Sequence, residues 1–262
     1  MQLKPKKSLG QNFLIDRNVI NKIVSVTKIF NKEILEVGPG SGNLTEELLN
    51  KKPSNFYVIE KDETLCNFLD NKFSKNIKII NNDILKIDEN KISKKKLIVF
   101  GNLPYNISTE ILCKWILNLN EEFWFEDLIL MFQKEVGERI IASPNTSEYG
   151  RLSILSQWRL KIKKMISVSP NSFFPKPKIE SIVLHFQPKD TIYRFKSAKN
   201  LEHITNIFFN QRRKMIKNPF KQVFKNYETI ANDLGIDLNL RPQNLSLENF
   251  YQIVKEYEKL RC

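Results

Sequence analysis

The chain has 262 residues, of which 41% are hydrophobic and 27% are charged, and its 42 Lys and Arg outnumber its 29 Asp and Glu. This length and composition predict an α/β domain of about 180–200 residues with a smaller second domain. The formal net charge of +13 favours a polyanionic partner, although a surface uniformly rich in lysine would give the same total.

Few residues are available for disulfides or for metal binding. The three cysteines, Cys66, Cys113 and Cys262, have no paired spacing, and the chain has two histidines. We therefore expect neither a disulfide framework nor a metal site. The basic N-terminus has no apolar segment behind it, and no apolar run approaches the roughly 18 residues of a membrane span. A cytoplasmic location without membrane attachment is the prediction.

The first 18 residues begin with a basic segment at residues 4–7. The composition predicts a solvated tail, followed by the apolar start of a helix at Phe13 and Leu14. The apolar spacing continues through residues 19–24 and suits one buried helix face.

A strand, a glycine turn and a helix follow one another between residues 34 and 49. The apolar residues 34–37 predict a buried strand, and Gly38 and Gly40 begin a turn in which backbone can approach a ligand closely. Asn43 stands where a dinucleotide fingerprint has its third glycine, which weakens an NAD interpretation. The turn alone is also compatible with glycines that are needed for packing only.

Acidic residues follow the next two predicted strands. Glu60 ends the strand at 56–59, about 20 residues after the glycine turn, where a carboxylate can accept hydrogen bonds from both ribose hydroxyls of an adenosine cofactor. Asp83 follows the strand at 77–80 and can accept a hydrogen bond from an adenine amine. Each also fits a simpler role, Glu60 as a solvated strand end and Asp83 as a turn former.

The tetrapeptide Asn102-Leu103-Pro104-Tyr105 follows the predicted buried strand at 97–100. Asn102 offers a side-chain carbonyl, and proline can hold the backbone carbonyls of Leu103 and Pro104 inward, so that acceptors converge on one exocyclic amine. Tyr105 can stack on the face of the same base. Alternatively, the tetrapeptide is a turn that only starts the following helix.

These strand ends are expected to meet at one place. In an alternating βα arrangement, the carboxyl ends of parallel strands share one edge of the sheet. The glycine turn, Glu60, Asp83 and Asn102 then describe a nucleoside cofactor beside an amine on a planar ring. The predicted fold class is a Rossmann-like α/β sheet with helices on both faces and a small all-helical C-terminal domain.

A proline-dense loop at residues 170–178 precedes the last predicted strand, at 181–186. Its three prolines preset a path that can hold Phe173 or Phe174 over a ligand, while the lysines of the loop meet phosphate. The alternative places both phenylalanines in the core and leaves the lysines solvated.

From residue 190 the pattern changes to short helices, so the predicted domains are residues 1–189 and 190–262. The basic segment 211–217 is predicted to lie on a helix that binds a phosphate backbone, because arginine pairs bidentately with phosphate. A solvated helical face is the alternative.

Nine ordered segments, which extend over nearly the whole chain, resemble the KsgA ribosomal RNA adenine dimethyltransferases. They are KSLGQNFL at 7–14, LEVGPGSGNLTEELL at 35–49, VIEKD at 58–62, NNDIL at 81–85, FGNLPYNIST at 100–109, FQKEVGERIIA at 132–142, YGRLSILSQ at 149–157, FFPKPKIES at 173–181 and FFNQRRK at 208–214. Resistance-type methylases of large-subunit rRNA share the glycine turn and the Asn-x-Pro-Tyr motif, but the segments at 38–40, 133–142 and 211–213 are more similar to KsgA.

The resemblance implies a methyltransferase domain that binds S-adenosylmethionine, with the N-terminal motif closing over the cofactor. The cofactor contacts that it implies are Asn12, Leu14, Gly38, Gly40, Glu60, Asp83 and Asn102. The residues that it implies around the target adenine are Asn102, Leu103 and Tyr105, with Phe173 as a second stacking face.

The implied activity is dimethylation of the exocyclic amines of two adjacent adenosines in the 3′-terminal hairpin loop of small-subunit (16S) rRNA. This activity is linked to biogenesis of the small subunit. The expected partner is the immature small ribosomal subunit, and the enzyme is expected to be a monomer. The alternatives are a resistance-type methylase of large-subunit rRNA and an assembly factor that acts by binding.

Overall fold

The structure is a computed structural model that describes residues 5–6, 9–118, 122–191 and 193–260. Most of the predicted basic tail and Cys262 lie outside these ranges. The strands are, in chain order, β1 (Phe13–Leu14), β2 (Glu33–Val37), β3 (Asn55–Glu60), β4 (Lys78–Asn81), β5 (Leu97–Asn102), β6 (Phe125–Gln133), β7 (Leu160–Val168), β8 (Phe173–Phe174) and β9 (Ser181–Pro188).

The α-helices alternate with the strands in the first half of the chain and dominate after residue 190. They are α1 (Arg17–Val24), α2 (Asn43–Asn50), α3 (Glu63–Phe73), α4 (Ser108–Leu117), α5 (Lys134–Ile141), α6 (Arg151–Arg159), α7 (Ala198–Phe209), α8 (Lys217–Val223), α9 (Tyr227–Asp233) and α10 (Leu247–Lys259). Within the described ranges, none of the helices has both the length and the apolar character needed to cross a bilayer.

Seven strands form one sheet in the order β4-β3-β2-β5-β6-β9-β7. The neighbours from β4 to β6 are all parallel, whereas β9 is antiparallel to β6. The short strands β1 and β8 form a separate antiparallel pair. This mostly parallel sheet confirms the predicted Rossmann-like α/β class, and it places the carboxyl ends of five strands at one edge.

The central strands are buried on both faces. In β5, Ile98 and Phe100 join an apolar cluster with residues of α1, α2 and α3, while the intervening Val99 is equally buried on the opposite face. Strands covered on both faces have continuous apolar runs instead of alternating ones. This explains why the sequence at 34–37 and 97–100 predicted them correctly.

The N-terminal segment differs from the prediction. Phe13 and Leu14 form β1, which pairs with β8, and are not the start of a helix. The helix begins at Arg17 because the carboxylate of Asp16 accepts hydrogen bonds from the backbone N–H groups of residues 18 and 19 and caps the first turn. The predicted helix start at residues 13–14 was therefore wrong.

The basic segment 211–217 is also placed differently from the prediction. Helix α7 ends at Phe209, and α8 begins at Lys217, so most of the segment lies in the turn between the two helices. The N–H of Lys214 donates to the carbonyl of Gln211 at 2.8 Å, and the N–H of Ile216 donates to the carbonyl of Leu240 at 2.8 Å. Across the basic residues, these hydrogen bonds stand in place of the i→i−4 backbone bonds of an α-helix.

The chain forms two compact units that differ from the predicted division at residues 189 and 190. The first contains Met1–Trp115, Leu119–Gly137 and Lys161–Pro188, and the second contains Ile116–Asn118, Glu138–Leu160 and Lys189–Cys262. Residues 138–160 belong to the second unit because their side chains pack with the C-terminal helices. The ring of Tyr149, for example, meets the ring of Phe209 edge-on, with 6.4 Å between centroids.

The second unit has a core of aromatic side chains. The buried ring of Phe208 packs edge-on against Phe220 and Phe250, with centroid distances of 5.4 and 5.6 Å. Such pairs add about 0.5–1.5 kcal/mol each beyond the burial of their area.

Gly137 in α5 allows a close approach to β9. A Cβ at this position would lie 2.2 Å from Cδ1 and 2.4 Å from Cγ1 of Ile182. Replacing glycine by alanine inside a helix normally gains about 1 kcal/mol. We expect Gly137→Ala instead to lower the free energy of unfolding by about 1–3 kcal/mol, because the overlap forces neighbouring groups apart. Urea-induced unfolding measures this change.

The double variant Gly137→Ala/Ile182→Val tests the cause, since valine lacks the nearer methyl group. Its loss of stability should be smaller than the sum of the two single losses. Additive losses, or a stabilised Gly137→Ala variant, would contradict the steric explanation.

Candidate active site

A cleft of about 280 Å³ lies at the carboxyl ends of β2, β3, β4 and β5. All the predicted cofactor residues line it, and so do three of the four residues predicted to hold the target base, Asn102 being in both sets. In chain order, these lining residues are Asn12, Leu14, Gly38, Gly40, Glu60, Asp83, Asn102, Leu103 and Tyr105. The strand ends therefore meet at one place, and the role of each side chain stays a prediction.

The glycine turn after β2 forms one wall of the cleft. Gly38 and Gly40 have φ angles of +70° and +56°, which L side chains rarely adopt. A Cβ on Gly40 would lie 2.8 Å from Cδ1 of Phe13, so the N-terminal segment packs directly on the turn. At these two glycines the backbone meets the cleft without a side chain, while Pro39 and Ser41 of the same turn also line it.

Glu60 ends β3 and is 8% exposed. Its Oε1 accepts a hydrogen bond from the backbone N–H of Asp62 at 2.9 Å. Burial raises the pKa of the Glu60 carboxyl, and hydrogen bonds from the backbone at Asp62 and Gly40 act in the opposite direction. These hydrogen bonds hold the carboxyl group in a fixed orientation at the carboxyl end of β3.

Asp83 follows β4, caps a turn and forms an ion pair, and its predicted contact with an adenine amine stays a prediction. Its Oδ1 accepts from the N–H of Leu85 at 3.0 Å, which caps a short 3₁₀ turn. Its Oδ2 lies 2.8 Å from Nζ of Lys61, and this hydrogen bond holds the pKa of Asp83 below its ordinary value. The residue is thus both a turn former and an ionised group in the wall of the cleft.

Asn102 is the last residue of β5, and its amide orientation is set by the N-terminal segment. The side-chain Nδ2 donates to the backbone carbonyl of Asn12 at 2.8 Å. Because the amide nitrogen is used in this way, Oδ1 is the atom left to accept a hydrogen bond. The segment is held further along by Asn43, whose Nδ2 donates to the carbonyl of Leu14 at 2.8 Å.

The backbone carbonyls of the tetrapeptide differ in how they are used. The carbonyl of Pro104 accepts from the N–H of Ile107 at 3.1 Å, in the turn that precedes α4. This bond uses one of its two lone pairs, so a contact of this carbonyl, or of the Leu103 carbonyl, with a ligand stays a prediction. The hydroxyl of Tyr105 lies 2.6 Å from Oγ of Ser181, and burial raises the pKa of Tyr105. This bond fixes one end of the ring.

Phe173 is not among the residues that line the cleft. Its side chain is 3% exposed, belongs to the apolar cluster of the sheet, and is paired with Leu14 across β1 and β8. The next residue, Phe174, is 57% exposed. The proline-dense loop therefore buries one ring and exposes the other, so the alternative that placed both phenylalanines in the core was wrong, and a ring held over a ligand stays a prediction.

Comparison with known proteins identifies the chain. The family model described as "Ribosomal RNA adenine dimethylase" matches residues 2–259. The chain belongs to this family. It is 62% identical, over the whole length of both chains, to the "Ribosomal RNA small subunit methyltransferase A" of Pelagibacter ubique. A protein with the same description from Wolbachia sp. subsp. Drosophila simulans is 39% identical and matches 99% of this chain and 96% of its own length.

Two solved structures show the same fold. A dimethyladenosine transferase from Plasmodium falciparum has a TM-score of 0.77 at 24% identity, covering 94% of this chain and 97% of its own. The 23S rRNA methyltransferase ErmE has a TM-score of 0.70 at 21% identity, covering 94% and 99%. These findings confirm the predicted resemblance and the predicted methyltransferase fold.

Sequence reasoning missed Glu36, which lines the cleft near the carboxyl end of β2. The residue is 2% exposed, and Thr45 Oγ1 donates to its Oε2 at 2.7 Å. Burial raises the pKa of Glu36 to about 8. An acidic residue inside an otherwise apolar run was the available signal, because a buried carboxyl needs a specific partner.

Asp62 was also missed, although it stands in one of the quoted segments. Its carboxylate accepts from Nζ of Lys6 at 2.7 Å and from Nε2 of Gln11 at 3.1 Å. Burial acts to raise the pKa of Asp62, but these bonds lower it below its ordinary value. Asp62 thus connects the N-terminal segment to the end of β3. Among the described residues, no group of His, Cys, Asp and Glu is arranged to hold a metal ion.

The raised pKa of Glu36 predicts a pH-dependent loss of stability. Between the ordinary value of 4.5 and about 8, the unfolded chain ionises this group while the folded chain keeps it protonated. The free energy of unfolding should therefore fall with rising pH in this window, by at most about 1.4 kcal/mol per pH unit. Glu36→Gln removes this loss, so its stability relative to the wild type should rise from pH 5 to pH 8.

Urea-induced unfolding at pH 5, 6.5 and 8 measures the difference, and Glu63→Gln on the exposed face of α3 is the matched control. The control should show no comparable trend. A constant difference between Glu36→Gln and the wild type across this range would show that Glu36 is ionised in the folded enzyme.

Proposed function

We propose that this enzyme uses S-adenosylmethionine to dimethylate the exocyclic amines of two adjacent adenosines in the 3′-terminal hairpin loop of small-subunit rRNA. Its family membership and the 62% identical relative establish a small-subunit rRNA adenine dimethyltransferase. The observation that carries the finer proposal is the cleft, which brings Glu60, Asp83 and Asn102 together beside a glycine turn.

The residues of the cleft fit a nucleoside cofactor. At Gly38 and Gly40 the backbone of the turn meets the cleft without a Cβ atom. Glu60 offers a fixed carboxyl for ribose hydroxyls, and Asp83 offers an ionised acceptor for an adenine amine. Leu14 and Ile84 supply apolar surface. When bound, S-adenosylmethionine supplies an activated methyl group on its sulfonium sulfur.

Asn102 and Leu103 would prepare the amine of the target base. With Nδ2 of Asn102 bonded to Asn12, Oδ1 is the acceptor that it offers to an N–H of the amine. The backbone carbonyl of Leu103 would accept from the same amine. Two acceptors draw the nitrogen lone pair out of conjugation with the ring, so attack needs no general base. Correct orientation of reacting groups can contribute roughly 7–11 kcal/mol.

The target adenosine must leave its stack before it can enter the cleft, which costs a few kcal/mol and least in a loop or single strand. Stacking on the ring of Tyr105, which Ser181 holds at its hydroxyl end, would offset about 1–3 kcal/mol of that cost. An adenosine in a hairpin loop therefore suits this site better than one in a duplex.

The family implies that the substrate is ribosomal RNA. Our proposal adds the form in which the enzyme meets that RNA. We propose the immature small subunit as the partner and a monomeric, cytoplasmic enzyme. The net charge of +13 supports binding to a large polyanion.

Asn102→Ala should lower methyl transfer by about 100-fold or more, because the amine would lose one of its two orienting acceptors. The measurement is transfer of labelled methyl groups from S-adenosylmethionine to unmethylated small subunits, with large-subunit rRNA alongside. Wild-type incorporation should approach about four methyl groups per small subunit, two on each adenosine. Asn71→Ala on α3 is the matched control and should behave like the wild type.

Two other results would change the assignment. Labelling of large-subunit rRNA alone would indicate a resistance-type methylase. Subunit binding without labelling of either RNA would indicate an assembly factor that acts by binding.

A second prediction concerns Phe173 and Phe174. If Phe173 is the second stacking face, Phe173→Leu should lower kcat/KM by about 5-fold to 100-fold while costing less than about 1.5 kcal/mol of stability. Phe174→Ala should then leave kcat/KM near the wild-type value. Methyl transfer and urea-induced unfolding of both variants measure these effects. The reverse pattern would assign the stacking role to the exposed ring of Phe174.

A further inference from the structure

The segment that follows the edge strand β4 contributes one wall of the cleft. Its first residues, 82–85, line the cleft, and the chain then continues through two short 3₁₀ turns at Ile84–Lys86 and Glu89–Lys91. The backbone hydrogen bonds inside these turns join residues that are three apart. Such local bonds fix the shape of each turn, but the position of the turns relative to the sheet requires contacts with other elements.

Lys114 on α4 supplies such contacts. Its Nζ donates to the carbonyl of Ile84 at 2.8 Å, to the carbonyl of Ile87 at 2.5 Å and to Oε1 of Glu89 at 2.6 Å. An ammonium group has three N–H donors, so each of them has an acceptor here. The side chains of Lys114 and Glu89 are 17% and 6% exposed, and ion pairs at this depth are screened much less than surface pairs.

Trp115 adds a second donor from the same helix. Its Nε1 donates to Oε1 of Glu89 at 2.7 Å, and the residue is 1% exposed. Two neighbouring residues of α4 therefore fix Glu89, which begins the second 3₁₀ turn. Because Lys114 also bonds Ile84 at the start of the first turn, α4 holds both turns.

The first residue of α4 is attached to the tetrapeptide predicted to hold the target base. Ser108 donates from Oγ to the carbonyl of Tyr105 at 3.3 Å. Lys114 lies six residues later, which is about 9 Å along the helix axis. One helix thus contacts the tetrapeptide at its first residue and, farther along, the wall that contains Asp83.

We propose that Lys114 is a positioning residue for the cofactor, which holds residues 83–89 so that Asp83 and Ile84 meet the adenine ring in a fixed place. The inference rests on the proposed function, since it takes S-adenosylmethionine as the cofactor and Asp83 as the acceptor for its adenine amine. A wall that is ordered before binding raises affinity, because the ligand does not have to order it. Lys114 does not line the cleft, so the chemistry of methyl transfer does not involve it.

The double variant Lys114→Met/Glu89→Gln tests the role of Lys114. Lys114→Met alone would leave the Glu89 carboxylate buried without its cation, whereas a glutamine oxygen at this position can still accept from Trp115. The matched control is Lys72→Met/Glu46→Gln, which removes a more exposed ion pair of 3.0 Å between α3 and α2. Neither of the control residues lines the cleft. Thermal unfolding verifies that each variant is folded.

Calorimetric titration with S-adenosylhomocysteine, and with 5′-methylthioadenosine, which lacks the amino-acid part, measures cofactor affinity without RNA. We expect Kd for both ligands to rise by the same factor, about 5-fold to 20-fold, in the Lys114 double variant only, because the loss lies at the adenine end. Amide hydrogen exchange at residues 83–89 of the ligand-free enzyme should be faster in this variant than in the wild type. In methyl transfer, KM for S-adenosylmethionine should rise, while kcat and KM for the small subunit keep their wild-type values.

Wild-type affinity in the folded Lys114 double variant would overturn the proposal, and so would unchanged hydrogen exchange or an equal loss of affinity in the control. A loss that is confined to S-adenosylhomocysteine would also overturn it, because the effect would then lie at the amino-acid end. Failure of the wild type to bind S-adenosylhomocysteine would instead contradict the proposed function.

Discussion

The chemistry of the cleft depends on the hydrogen bond between the Asn102 amide nitrogen and the Asn12 carbonyl. A side-chain amide presents its oxygen to a substrate in a fixed direction when its nitrogen already donates a hydrogen bond. In Asn102 the acceptor of that bond is a backbone carbonyl from a distant part of the chain. The same segment is held by the packing of Phe13 on the glycine turn and by Asn43. The acceptor at the end of β5 is thus oriented by residues that are themselves part of the cleft wall, so the substrate and cofactor sites that we propose would share one framework.

The two units use their polar residues differently. In the sheet unit, acidic side chains are fixed individually: Glu60 by backbone N–H groups, Asp83 by Lys61, and Glu36 by Thr45. Each is placed at or near a strand end, where the geometry of the sheet controls its position. In the helical unit, Lys214, Lys217, Lys221 and Lys225 are exposed. Attraction of a large polyanion depends on the combined charge of such side chains more than on their exact positions, whereas a small ligand requires individually fixed groups.

Local patterns predicted most of the sheet and the convergence of the strand ends, because continuous apolar runs and strand-turn-helix order are properties of neighbouring residues. The errors have nonlocal causes. Phe13 and Leu14 form a strand because β8, about 160 residues later, offers them a partner. Residues 138–160 belong to the helical unit because of the C-terminal helices, which composition along the chain does not reveal. Glu36 was missed because the sequence alone does not show that Thr45 lies close enough to donate a hydrogen bond to its carboxyl group.

Asp62 has a consequence for how this enzyme is produced. Its backbone N–H supports the Glu60 carboxyl, while its side chain anchors Lys6 and Gln11. An affinity tag fused ahead of residue 6 would begin within a few residues of this anchor and would place bulk and charge beside the cleft. Preparations that differ only in the end that carries the tag should therefore not be treated as interchangeable when cofactor affinities are compared.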